Sequence, residues 1–152
     1  CNVNFDAEWG TGAHNIRTPA PANYIGSYPF SEPETRALRD FTLAFRPAAT
    51  VSYHTKGREI YWEFGQRSEA LARDRKIAES LAAETGYAAK LVRGSAGGYK
   101  DWCIRALGIP SFTIEAGSDE FSHPLGEAEL PRLIEENARV PALLAELVWK
   151  IR

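Results

Sequence analysis

Short extended runs alternate with longer helical patterns along most of this chain, and that alternation limits the folds open to it. Thr50–Thr55 is rich in branched and aromatic residues, as strands are, and Lys56–Gly57 turns the chain into a second extended run, Glu59–Phe64. Ala89–Arg93 and Ser111–Gly117 are further strand candidates, the last with glycine at its end. Helical stretches lie between them. Ser31-Glu32-Pro33-Glu34 carries a capping-box pattern with proline near the first helical position; Leu38, Phe41 and Phe45 then share a face until Pro47. A second helix is predicted from about Glu69 to Thr85 with Gly86 as its C-cap, and a third from Tyr99 to Leu107, stopped at Gly108. The tail is helical through Leu130, Leu133, Ile134, Leu143, Leu144, Leu147 and Val148, with Pro141 breaking it near Val140. Residues 1–30, rich in Gly, Pro, Asn and Ala, read mostly as loop. The predicted class is α/β, a mixed, mainly parallel sheet flanked by helices.

At 152 residues and 44% hydrophobic content the chain can bury a sizeable core, and it suits one domain or a piece of a larger one. A net charge of -2 without a long basic run argues against nucleic acid as a partner. No apolar stretch is long enough to span a bilayer. Methionine is absent, and the opening Cys1-Asn2-Val3-Asn4-Phe5-Asp6 reads as the middle of a strand or loop. The expectation is that residues 1–152 are the C-terminal part of a single domain whose N-terminal part, with any localisation signal, lies upstream. The compartment is left open, with the cytoplasm slightly favoured, and so is the oligomeric state. The two cysteines, Cys1 and Cys103, form no C-x-x-C spacing; a reduced, partly buried Cys103 is expected, a Cys1–Cys103 disulfide being the alternative.

Two residues stand out chemically. His54 ends an apolar strand, and sites in open α/β sheets gather outside the carboxyl ends of strands. A histidine there can offer a neutral ring nitrogen to a metal or act as acid or base; a satisfied structural histidine is the competing reading. Glu115 ends the run Phe112-Thr113-Ile114, where burial would suit a carboxylate to general acid–base work; an edge salt bridge is its alternative. The glycine-rich Gly94–Gly98 matches neither phosphate-binding fingerprint. Arg93, Tyr99 and Lys100 flank it, within reach of a substrate or else on the solvated surface. His14 and His123 read as loop residues, Asp119-Glu120 as a solvated turn, and no G-x-S-x-G elbow occurs.

Taken together, Asn2-Val3-Asn4-Phe5-Asp6, Ser31-Glu32-Pro33-Glu34, Ser52-Tyr53-His54, Ser95-Ala96-Gly97-Gly98-Tyr99-Lys100-Asp101-Trp102 and Phe112-Thr113-Ile114-Glu115 resemble, in this order, the zinc carboxypeptidase family. Bacterial members that cut γ-D-glutamyl-diamino acid links in cell-wall peptides are the best match. The resemblance implies a zinc-dependent peptidase acting on a peptide substrate. It implies His54 as the later of the metal ligands, Glu115 as the base that activates water, and Asn2 as a substrate-pocket residue. A His-x-x-Glu pair completes the family's ligand set; none occurs here, and its expected place is upstream of Asn2, as is that of an oxyanion-stabilising arginine. Many members carry arginine after the matching asparagine; here that residue is Val3, which cannot supply a guanidinium fork. Arg93 falls at the position of the family's mobile tyrosine, with Tyr99 close by, so both are candidate substrate-binding residues. Two other readings are a non-catalytic peptide-binding domain of the same fold and a zinc amidohydrolase acting on small acylated amino acids. With one ligand of its own, the chain is expected to be inactive alone.

Overall fold

The computed structural model describes residues 2–120, 122 and 124–151. Helix α1, Pro33–Phe45, begins with proline at its first turn, as expected. Its N-cap, however, is Glu32, whose side chain makes no capping bond. Ser31 Oγ instead donates to Glu32 Oε1 at 2.8 Å, so the capping box implied by the sequence does not form. Asn4, almost thirty residues upstream, takes over: its Oδ1 accepts from the Glu32 backbone N–H at 3.1 Å and from Thr35 Oγ1 at 2.7 Å.

The strands are β1, Thr50–His54; β2, Glu59–Tyr61; β3, Ala88–Lys90; and β4, Ser111–Glu115. They form one sheet in the order β1-β4-β2-β3. β1 runs parallel to β4 and β2 parallel to β3, while β2 and β4 are antiparallel, which is the mixed, mainly parallel sheet predicted. Helix α2, Ser68–Thr85, connects β2 to β3 and ends at Gly86, whose φ of 70° closes the helix in a conformation that costs glycine nothing. Helix α3, Tyr99–Leu107, leads into β4. After a 3-10 turn at Glu127–Glu129 come α4, Leu130–Asn137, and α5, Val140–Trp149; the break falls at the proline-marked position.

Period-two alternation sorts the sheet into two faces. Phe112 and Ile114 of β4 and Ile60 of β2 join Ile77 and Leu81 of α2 and Val140 and Leu144 of α5 in one buried cluster. Full burial of each such side chain contributes about 1.5–3 kcal/mol, so this cluster is the main source of stability. A smaller cluster of Phe5, Ala7, Trp102 and Cys103 fastens the N-terminal loops to α3. Cys103 is a free, fully buried thiol, its pKa raised by burial. Cys1, and with it the alternative disulfide, lies outside the described residues. Among the described residues no helix is long and apolar enough to cross a membrane.

Candidate active site

The alternate residues of β1, β4 and β2 put a polar strip on the other face of the sheet. His54 and Glu115 are direct partners in the parallel β1–β4 register, both at the carboxyl ends of their strands. His54 Nδ1 lies 3.8 Å from Glu115 Oε1. That distance is too long for a hydrogen bond. Burial lowers the His54 pKa and so favours the neutral imidazole. His54 and Glu115 face a common cleft with Ser52, Thr113 and Tyr61 of the same sheet face.

The far wall of the cleft comes from the N-terminal loops, α1 and the glycine loop. Asn2, Val3, Thr35 and Tyr99 line it. Segment 3–7 lies flat on the glycine loop: Phe5 N–H donates to Gly97 O at 2.9 Å, and Gly97 N–H donates to Ala7 O at 2.8 Å. A Cβ on Gly97 would sit 2.8 Å from Val3 O, so only glycine allows this approach. Tyr99 bonds through its hydroxyl to Thr42 Oγ1 at 2.8 Å and packs against Phe5 and Trp102. Burial pushes its pKa up to about 12, so the phenol keeps its proton.

Of the residues singled out from sequence, Asn2, His54, Tyr99 and Glu115 therefore share one cleft. Arg93 does not join them. It sits in a separate groove with Trp62, Arg75 and Glu79, while its neighbour Val92 faces the cleft. Lys100 is not solvated surface: it is buried, with Nζ donating to Asp101 Oδ1 at 2.5 Å and to Glu63 O at 3.0 Å. His14 is an exposed loop residue and Asp119 and Glu120 form an exposed turn, as expected; His123 lies outside the described residues.

Glu59 and Tyr61 carry no motif and were not legible as part of this strip. Across the antiparallel pair, Glu59 faces Glu115 and Tyr61 faces Thr113. Lys90 Nζ and Tyr61 Oη both donate to Glu59 and lower its pKa, so it stays ionised beside Glu115. Burial, then the bond to Glu59, raises the Tyr61 pKa. Only the fact that β2 pairs with β4, which sequence spacing does not give, reveals this arrangement.

His54 offers the kind of donor zinc takes, a half-buried neutral imidazole. Among the described residues no three His, Cys, Asp or Glu side chains converge into a metal-binding group. The chain's fit to a zinc site is thus that of one nitrogen donor beside a carboxylate.

Comparison with known proteins gives the family. Residues 1–140 match the family described as zinc carboxypeptidase. The γ-D-glutamyl-L-diamino acid endopeptidase 1 of Lysinibacillus sphaericus is 34% identical over 89% of this chain and 33% of its own length. Carboxypeptidase O of Bos taurus is 28% identical over 89% of this chain and 40% of its own. The chain thus spans between a third and two fifths of the length of these relatives. The structure of bovine thrombin-activatable fibrinolysis inhibitor in complex with tick carboxypeptidase inhibitor superposes with a TM-score of 0.87 at 25% identity, over 99% of this chain and 57% of the other. The chain belongs to the zinc carboxypeptidase family, whose cofactor is zinc.

Proposed function

We propose that this chain is the C-terminal part of a zinc-dependent peptidase domain and contributes one metal ligand, His54, and the general base, Glu115. The observation that carries the reading is the register pairing of these two residues at the carboxyl ends of parallel strands, facing a cleft that also holds Asn2 and Tyr99. Zinc, when bound, would polarise the scissile carbonyl and make water more acidic. His54 would hold it through a ring nitrogen left unprotonated by burial. Glu115 then takes a proton from the attacking water and passes it to the amine that leaves as the C–N bond breaks. Asn2 at the cleft lip and the protonated Tyr99 hydroxyl supply polar contacts for the peptide. Arg93 lies in its separate groove and is assigned no role.

The likeness to a γ-D-glutamyl-L-diamino acid endopeptidase supports cell-wall peptides as the substrate class. An aliphatic Val3 where many members carry arginine supports it too, because among the described residues no guanidinium fork for a chain-terminal carboxylate lines the cleft. The test uses the full catalytic polypeptide. Glu115→Gln is expected to retain zinc while hydrolysis falls roughly 10²–10⁴-fold; near-normal turnover would remove Glu115 from the mechanism. His54→Ala is expected to lower the zinc content measured by elemental analysis.

A further inference from the structure

One charged pair borders the cleft without a part in the chemistry proposed for it. Lys100 and Asp101, in the first turn of α3, are 4% and 3% exposed. Both line the cleft that holds His54 and Glu115. Lys100 Nζ donates to Asp101 Oδ1 at 2.5 Å and to Glu63 O at 3.0 Å, and it lies 5.5 Å from the centre of the Phe64 ring. The second oxygen of Asp101, Oδ2, accepts from the Gly98 N–H at 3.0 Å. Both oxygens of this carboxylate are therefore engaged within the protein. An ammonium group has three protons to donate, and among the described residues the third finds no acceptor. A buried ion pair stabilises a fold no better than apolar packing of the same volume, so stability does not account for this one.

Two independent features make this corner of the cleft attractive to an anion. One is the spare proton of a buried cation. The other is the start of α3, a helix of nine residues. Its first i→i−4 bond runs from the Trp102 N–H to Gly98 O at 3.1 Å, so the main-chain N–H groups of Tyr99 and Lys100 precede the ladder and have no acceptor within the helix. Elsewhere the described lining carries the carboxylates Glu34 and Glu115 and no other lysine or arginine. A carboxylate brought into the cleft by a substrate thus meets opposite charge at Lys100 and like charge at Glu34 and Glu115.

We propose that Lys100 recognises a carboxylate of the peptide held in this cleft, so that the preferred substrates are acidic peptides. The proposal rests on the reading of the cleft as a peptidase site and adds the group that selects its substrate. The carboxylate comes from a side chain or from the chain end; the chemistry that recognises it is the same, a charge-assisted hydrogen bond from Nζ beside a helix N-terminus.

Calorimetry on the full catalytic polypeptide carrying Glu115→Gln tests this, because affinity is then read without turnover. Three peptides of one sequence are compared: one with an acidic side chain and a free chain end, one with that side chain as its amide, and one with the chain end amidated. One of the two amidations is expected to weaken binding about 10- to 100-fold, and it identifies the carboxylate that Lys100 holds. Equal binding of all three peptides overturns the proposal. Asp101→Asn keeps an acceptor for the Gly98 N–H and removes the counter-charge of Lys100, so it is expected to retain the preference. Adding Lys100→Met to it is expected to bring the three affinities together, and a preference that survives this change also overturns the proposal. If the methionine variant does not melt cooperatively, Lys100→Gln with Asp101→Asn replaces the pair by two amides and is read in the same way. Hydrolysis is assayed separately on the protein with Glu115 intact. Peptides that bind with the expected preference and are not cleaved would remove the peptidase reading and leave the carboxylate site standing.

Discussion

Asn4 is fully buried, and both ends of its amide are engaged. Its Nδ2 lies 2.6 Å from Ile25 O, 2.9 Å from Tyr28 O and 3.1 Å from Ser31 Oγ, while its Oδ1 accepts from Glu32 and Thr35. One side chain thus gathers the loop of residues 25–31 and the start of α1 against the N-terminal turn that carries Asn2 into the cleft. Alanine would leave several of these buried groups without partners, at a cost of about 3 kcal/mol. The expected outcome for Asn4→Ala is a lower urea midpoint with an unchanged m-value. A midpoint within error of the parent would show that water replaces the amide. Asn4 lies inside the string Asn2-Val3-Asn4-Phe5-Asp6 that carried the family resemblance, yet its role could not be read there, because its partners are 21 to 31 residues away. The same holds for Arg93. Counting along the glycine loop places it near the cleft, but the backbone direction after β3 turns Val92 inward and Arg93 outward. His54 and Glu115, by contrast, stood out because each ends an apolar run, though residue chemistry alone left a structural role open for both and the family resemblance supplied the ligand and base readings.

Elements were legible where local chemistry decides them and less so where it competes. α3 has the predicted bounds, and α2 begins one residue earlier than predicted. The second strand was expected to reach Phe64 but ends at Tyr61. Beyond it, Gln66 Nε2 donates to Trp62 O at 3.0 Å, and the Phe64 N–H donates to Gln66 Oε1 at 2.6 Å. Side-chain bonds to nearby backbone here draw the segment out of the sheet ladder. The β1–β2 turn that follows His54 is held in another way. Arg58 pairs with Glu136 of α4 and lies 4.8 Å over the Tyr87 ring, and Tyr87 Oη donates to Glu136 at 2.7 Å. Burial alone would raise the Glu136 pKa, but the bonds from Arg58, Tyr87 and Arg132 outweigh it and hold the carboxyl below its ordinary value of 4.5. A depressed folded pKa means stability that is present above pH 4.5 and lost as the pH falls through the folded value. Glu136→Gln is therefore expected to be less stable by about 1–2 kcal/mol at pH 7, with the gap narrowing in acid. Parallel stability curves for the two proteins across that range would discount the ionised carboxylate.

For the molecule as a whole, the core and the site follow different logics. The main cluster, from Ile60 through Phe112 to Leu144, is assembled from elements within these residues, which is why period and capping in the sequence predicted the α/β class. A metal site requires donors from separate strands and loops at one point, and only His54 of the described residues stands there with Glu115. Folding and zinc should accordingly be uncoupled in this chain and coupled in a polypeptide that adds the remaining ligands. A ligand held only by the native state stabilises it by RT ln(1 + [L]/Kd), about 2.7 kcal/mol at a concentration 100 times Kd, which corresponds to several degrees in melting temperature. Adding zinc to the 152-residue chain is expected to leave its melting temperature unchanged, because a lone imidazole binds weakly. A polypeptide that supplies the remaining ligands should melt several degrees higher with zinc, and His54→Ala should remove most of that shift. A comparable zinc-induced rise in the 152-residue chain would mean that it assembles a tight site by itself, and the division of ligands between two parts of the domain would be wrong.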